Sequence, residues 1–249
     1  MNRSVTTADP EVRAAELEAN LRALLARIDA ACAAAGRDPA TVRLLPVTKY
    51  FPASDIELLY HRLGRREFGE SRAQEAGAKA ETLAGLPDIR WHLIGRLQRN
   101  KARQVARWAD TVHSVDSERL ATALERGATA ALENGERTTA LRVLIQVSLD
   151  ADPERGGAPP ASLPALAEHI AGSSSLRLAG LMAIPPLGAD PEEAFARLAD
   201  LHARLRADHP DATELSAGMS GDLDSAIAHG STCVRVGTAL MGTRPIISG

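Results

Sequence analysis

Leu141-Arg142-Val143-Leu144-Ile145-Gln146-Val147 is the stretch on which the reading of the fold turns. It is rich in aliphatic and β-branched residues and lacks the strict alternation of a strand wetted on one face. It therefore predicts a strand covered on both faces, as in a parallel sheet, running over Leu141–Leu149. A loop rich in Gly and Pro follows (Ala151 to Pro160), and then a helical pattern to about Ala171. Strand, loop and helix in that order are the repeating unit of an α/β domain.

The same unit recurs outward in both directions. Upstream, strands are expected at Val42–Lys49, Glu67–Gly69, Ile89–Ile94 and Thr111–Val115; downstream, at Leu176–Ile184, Thr213–Ala217 and Cys233–Gly237. Pro46 has no amide to give to a ladder, so the first strand should be irregular there. Helical patterns begin near Pro52 and Ser71, cover Gln98–Trp108, follow Asp116 as a candidate cap, open on Asp190-Pro191-Glu192-Glu193, and run from Asp222 to His229 before Gly230. One helix precedes them all. Asp9 and Pro10 suit its first turn, Leu17, Leu21, Leu24, Leu25 and Ile28 form its apolar stripe, and Gly36 ends it.

Eight alternating units in 249 residues predict an α/β fold: a single (β/α)8 TIM barrel with an extra N-terminal helix. One domain would span residues 1–249, with the leading helix at 10–35 and the barrel at 42–245. An open doubly wound sheet is the alternative, because two of the strands are weak.

Composition narrows the function. With 45% hydrophobic and 3% aromatic residues, the core must be built from Leu, Val, Ile and Ala. A net charge of −3 gives no general attraction to nucleic acid or an anionic membrane. Cys32 and Cys233 lie far apart in no metal-ligand spacing, and read as apolar fillers in a reduced, cytoplasmic protein. The segment Met1 to Pro10 is polar, unlike a signal peptide, and no apolar run has the length of a membrane span. The seven histidines form no ligand-spaced pair, which argues against a metal site. His92, between Trp91 and Leu93, reads as a core or rim histidine. No Gly-x-Ser-x-Gly elbow is present.

Lysine usage points to chemistry. Three lysines stand against 26 arginines. Where only positive charge is needed, arginine serves; lysine alone can lose its proton and condense with an aldehyde or ketone. Lys49 ends the first strand, at the C-terminal rim where barrels place their sites. Lys79 and Lys101 fall in helix-like polar surroundings. Two further segments suit a phosphate: Leu215-Ser216-Ala217-Gly218-Met219-Ser220-Gly221-Asp222 and Arg235-Val236-Gly237-Thr238. Each places glycine and hydroxyl residues before a helix, where exposed amides attract an anion, although N-caps and turns alone would look the same. Arg96, Arg99, Lys101, Arg103 and Arg107 read as a solvated helix face, with an RNA or partner surface as the alternative. An imine-forming lysine and a phosphate cradle in one barrel mouth fit a sugar-phosphate carbonyl compound or pyridoxal 5′-phosphate (PLP).

At these residues the chain resembles the PLP homeostasis proteins, relatives of the alanine racemase barrel. The matching stretches are Pro46-Val47-Thr48-Lys49; Phe68-Gly69-Glu70 with Gln74-Glu75; Trp91 to Gln98 with Asn100-Lys101; Gly180-Leu181-Met182; Leu215-Ser216 through Ser220 with Asp222; and Gly230-Ser231-Thr232 to Gly242. The resemblance implies PLP as an internal aldimine on Lys49, with Ser216, Gly218, Met219, Arg235, Gly237 and Thr238 on the phosphate side. Ser71 stands beside the cofactor where the family usually has asparagine. Ser148, Arg155 and Ala217 also depart from the usual asparagine, lysine and methionine. The implied role is intracellular PLP buffering and delivery without robust turnover, with apo PLP-dependent enzymes as recipients and a monomer as the expected state. The alternative is a PLP-dependent racemase or lyase. A two-sided racemase needs acid–base groups on both faces of the substrate carbon. The chain offers Lys49, only two tyrosines (Tyr50 and Tyr60), and no β-rich second domain before Gly249.

Overall fold

The amide that Pro46 lacks decides where the barrel closes. A computed structural model describes residues 9–150, 156–186 and 188–243 of the chain. Among the described residues it has eight strands and nine α-helices. The strands are β1 (Arg43–Pro46), β2 (Glu67–Glu70), β3 (Arg90–Leu93), β4 (Thr111–Val115), β5 (Leu141–Gln146), β6 (Leu176–Met182), β7 (Glu214–Ser216) and β8 (Cys233–Val236). All pair in parallel in the order β1-β8-β7-β6-β5-β4-β3-β2. The two end strands meet through one bridge, Val47 with Gly69, and the Thr48 N–H donates to Gly69 O at 3.0 Å. Val47 N–H turns the other way, to Val236 O of β8. By the alternation of a strand, Pro46 faces the β1–β2 seam with no donor. The sheet therefore closes as the expected barrel, not as the open alternative, through a thinly laced joint.

The helices are α1 (Pro10–Ala34), α2 (Ala53–His61), α3 (Ala73–Thr82), α4 (Ala102–Trp108), α5 (Glu118–Glu133), α6 (Leu163–Ala171), α7 (Pro191–Asp208), α8 (Leu223–Ala228) and α9 (Thr238–Met241). Asp9 caps α1 by accepting from Glu11 N–H, and Asp190 caps α7 by accepting from Glu192 N–H, both at 2.9 Å. Leu17, Leu21, Leu24 and Ile28 are buried, each worth about 1.5–3 kcal/mol. Leu25 is not part of that stripe; it lies one residue round the helix and is exposed. Arg13 and Asn20 donate to Met241 O and Leu240 O, so the leading helix fastens the last one. Asp116 does not cap α5: Ser117 takes the N-cap position and donates its hydroxyl to Asp116 instead. The observed strands are shorter than the apolar runs, because several run ends continue past the last ladder pair as rim. Residues 1–8, Arg155 and the barrel end at 244–245 lie outside the described residues.

Two large aliphatic clusters fill the space between sheet and helices, one around β3–β7 and one joining α1 and α2 to β1, β2 and β8. Cys32 and Cys233 are buried free thiols. At the N-terminal ends of the strands Arg43 pairs with Glu67 and Glu214, and Arg142 pairs with Glu214. This charge network plugs the face of the barrel that serves stability rather than chemistry.

Candidate functional site

Lys49 stands immediately after the closing bridge, and both its chain neighbours are pinned from below. Thr48 is fully buried and donates its hydroxyl to Glu70 Oε1 at 2.6 Å. Lys79 Nζ donates to Thr48 O at 2.9 Å, to Glu70 Oε1 at 2.7 Å and to Glu75 Oε1 at 2.9 Å. Glu75 Oε1 also accepts from Tyr50 N–H at 2.8 Å. Tyr50 adopts φ 71°, a left-handed conformation uncommon for a bulky residue, which holds only when its surroundings determine it. Lys79 is thus a buried strut under the reactive stretch, correcting the expectation of a polar helix surface. Burial pushes the Glu70 carboxyl upward, against the pull of Lys79 and Thr48.

Lys49 itself is half-buried at the rim. Its Nζ lies 5.9 Å from the Tyr50 ring centroid and has no ion-pair partner among the described residues. The amine is thus placed without being neutralised.

The neighbouring strands supply a second cation. Arg235 of β8 is buried; it donates to Ser216 O (2.6 Å), Ser216 Oγ (2.8 Å) and Ala183 O (2.9 Å), tying the ends of β6, β7 and β8 together. It has no carboxylate partner among the described residues, and burial pulls its pKa down. A buried guanidinium hydrogen-bonded only to neutral acceptors leaves a positive field that Asp222 offsets only from a distance. Ser216 Oγ is also 2.9 Å from His113 Nδ1, and His113 Nε2 is 2.9 Å from His92 Nδ1. Burial first, then the positive side chains nearby and, for His113, also His92, hold both imidazoles well below the usual histidine range. They stay neutral, and hydrogen-bond chemistry rather than charge links them to Arg235.

Of the residues singled out in the sequence, the strand ends bring Lys49, Ser71, Ser216, Gly218, Arg235, Gly237 and Thr238 to one rim. β1 and β8 are neighbours, and a Cβ on Gly237 would stand 3.5 Å from Val47 O, so the last loop abuts the lysine stretch. Gly218 has φ 93°, and a Cβ there would meet the Ala226 side chain at 2.6 Å, so only glycine fits. Thr238 and Ala239 open α9, before any intrahelical acceptor exists for their amides. Met219 is the least engaged: its N–H is taken by Asp222 Oδ1 at 2.6 Å and the residue is 39% exposed. The Ser216 hydroxyl points to His113 and Arg235 rather than standing free. His92 is buried, as expected of a core histidine. The basic run does not share one face: Arg96, Arg99 and Lys101 line a cavity with Ser71, whereas Arg107 turns away to pair with Glu136.

Two features had escaped the sequence: the Lys79 strut and the His92–His113–Ser216–Arg235 chain. Glu75 and Lys79, spaced i,i+4 on α3, were a visible signal for the first. The second needs strands 21 and 103 residues apart to be placed side by side.

Comparison with known proteins agrees with this arrangement. Residues 19–245 match the family model described as "Alanine racemase, N-terminal domain". The chain is thus of the class of parallel barrels that this domain defines. The Mycobacterium tuberculosis pyridoxal phosphate homeostasis protein is 51% identical over 248 residues, covering 95% of this chain and 96% of that protein. PipY of Synechococcus elongatus, solved with PLP bound, is 39% identical with a TM-score of 0.73, over 88% of this chain and all of that one. A protein from Bifidobacterium adolescentis described as unknown is 35% identical with a TM-score of 0.84, over 96% of this chain and 100% of that one. The chain belongs to the pyridoxal phosphate homeostasis protein family.

Proposed function

We propose that this protein holds PLP on Lys49 and serves as an intracellular reserve and donor of the cofactor. The observation that carries the reading is the rim itself: an amine with no ion-pair partner among the described residues, between two pinned neighbours, on a strand beside a buried guanidinium hydrogen-bonded only to neutral acceptors. The residues fit the group. Lys49 would take the aldehyde carbon, the amides around Gly218, Gly237 and Thr238 would face the phosphate, and Arg235 would supply positive field beneath the ring or phosphate. When bound, PLP supplies an electrophilic carbonyl and an electron-withdrawing ring.

The chain's own residues do the rest. Lys79 and Glu75 fix Thr48 and Tyr50, so Lys49 swings from a rigid base. Ser71, just past the end of β2, would border the cofactor, with a shorter side chain than the asparagine usual there. Among the described residues of the rim no second base is held by its own hydrogen bonds opposite Lys49, which favours retention and release over turnover. Apo PLP-dependent enzymes are the natural recipients.

The test is spectral. Protein incubated with PLP should absorb in the visible, and borohydride should fix the cofactor on Lys49 as read by peptide mass mapping. Lys49→Ala should lose both signals. If the variant keeps a reducible cofactor in the same pocket, the assignment is wrong.

A further inference from the structure

Beside the lysine rim lies a cavity of about 840 Å³. Its lining includes Arg72, Arg96, Arg99, Lys101 and Arg119, with Asp116 as the one carboxylate. Five cations and one anion leave a local charge of four positive, in a chain whose net charge is −3. Elsewhere several arginines are matched: Arg13, Arg22, Arg27, Arg62 and Arg90 each pair with a carboxylate. None of the five cavity cations has an ion-pair partner among the described residues; Arg72 rests 5.2 Å from the Tyr50 ring centroid. Asp116 is engaged by the Ser117 hydroxyl at 3.0 Å.

The backbone repeats the preference. α3 and α5, of ten and sixteen residues, both begin at this cavity, and neither has a side-chain cap. The amides of Ala73 and Gln74 on one side, and of Arg119 on the other, precede the first intrahelical acceptor. Helix starts of this kind attract phosphate oxygens. The wall between them is rigid: a Cβ on Gly95 would fall 2.1 Å from Ser71 O, so these two rim loops are packed backbone to backbone.

The volume is that of a small-molecule site, and the lining holds no aromatic side chain. Charge, rather than a stacked ring, would therefore be what the cavity reads. We propose that it is a second ligand site, distinct from the Lys49 cradle, that takes a small molecule carrying a di- or triphosphate. A triphosphate would match the charge, with a helix start of α3 or α5 available to its oxygens. The same chemistry could come from inorganic polyphosphate or from a nucleoside triphosphate. The inference does not rest on PLP binding, since Ser71 is the only residue shared with that site.

The experiment is calorimetric titration of the full chain with inorganic tripolyphosphate and separately with ATP, at about 50 mM and about 200 mM salt. Lys49→Ala is titrated in parallel, to separate this site from the cofactor's. Tripolyphosphate should bind with one site per chain, in both proteins. Replacing two exposed cations, in Arg99→Gln/Arg119→Gln, should weaken binding about tenfold or more, the loss expected for charge-assisted contacts. A control with the same change of charge elsewhere, Arg107→Gln/Arg126→Gln, should leave it within about twofold. ATP binding equal to tripolyphosphate would show that only phosphate is read; tighter ATP binding would add a nucleoside contact. The proposal fails if tripolyphosphate does not bind, if both double variants weaken it alike, or if Lys49→Ala abolishes it. It also fails if a single-stranded oligonucleotide or an acidic peptide binds more tightly than tripolyphosphate, since the surface would then recognise a macromolecule.

Discussion

Replacing Lys79 by methionine isolates the strut from the reactive amine. Lys79 bonds Glu70, Glu75 and the Thr48 carbonyl, and Glu70 is fully buried. Losing one partner of a buried ion pair typically costs about 3–5 kcal/mol, because the other charge is stranded. Glu70 has an escape: it can take a proton. Its carboxyl already sits above the usual range through burial, and Lys79 is the leading influence holding it down, so Lys79→Met should raise it further. The sign follows. A carboxyl whose folded pKa exceeds its unfolded value of about 4.3 binds its proton more tightly in the native state. Its contribution is fully present below that value and is lost as pH rises through the folded pKa, at about 1.4 kcal/mol per pH unit. The deficit of Lys79→Met should therefore be largest near pH 8 and shrink toward pH 5. Urea unfolding of both proteins across that range measures it, and Glu70→Gln added to Lys79→Met should recover most of the pH-8 loss. A deficit that is the same at both ends, or a double variant that loses the two costs additively, would refute the strut. PLP uptake by Lys79→Met should be weakened with Lys49 intact, since Thr48 and Tyr50 lose their anchor.

Three further outcomes are expected. His92 and His113 are held neutral, with folded pKa values below the unfolded one near 6.5, so the stability they contribute is present above that pH and falls below it by about 1.4 kcal/mol per unit for each. Thermal unfolding of His113→Asn should show a shallower loss between pH 6.5 and 5, and an unchanged slope would contradict the buried neutral pair. Gly180 has φ 150° and a Cβ there would lie 1.8 Å from Glu214 O, so Gly180→Ala should cost about 3 kcal/mol by forcing β6 from β7, as read by urea midpoint. In deuterated water, protein loaded with PLP should exchange the α-hydrogen of alanine no faster than free PLP; a marked acceleration would favour the racemase or lyase reading.

The order of elements was legible in the sequence because each strand buried on both faces left an unbroken aliphatic run, clearest in Leu141–Val147. Lys49 was legible for another reason, as one of few lysines where arginine is the default cation. What stayed hidden depends on contacts between segments distant in the chain. Nothing in the local pattern around Lys79 says that its ammonium reaches back to Thr48 O, 31 residues earlier. The pairing of Ser216 with His113 spans 103 residues, so a hydroxyl that looked free for phosphate already serves the barrel interior. The basic run misled because helical spacing alone cannot show a break: the segment begins as a 3-10 turn at Arg99–Lys101 before α4, which rotates Arg96, Arg99 and Lys101 away from Arg107.

The joint between β1 and β2 has a kinetic meaning. This seam has a single bridge, next to a proline and one residue before Thr48, and the β7–β8 seam likewise has one aligned pair, Ser216 with Cys233. Local opening is cheapest where backbone bonds are fewest. One of these two thin seams thus lies beside Lys49, and local opening there would loosen the backbone that carries the amine without parting the longer ladders.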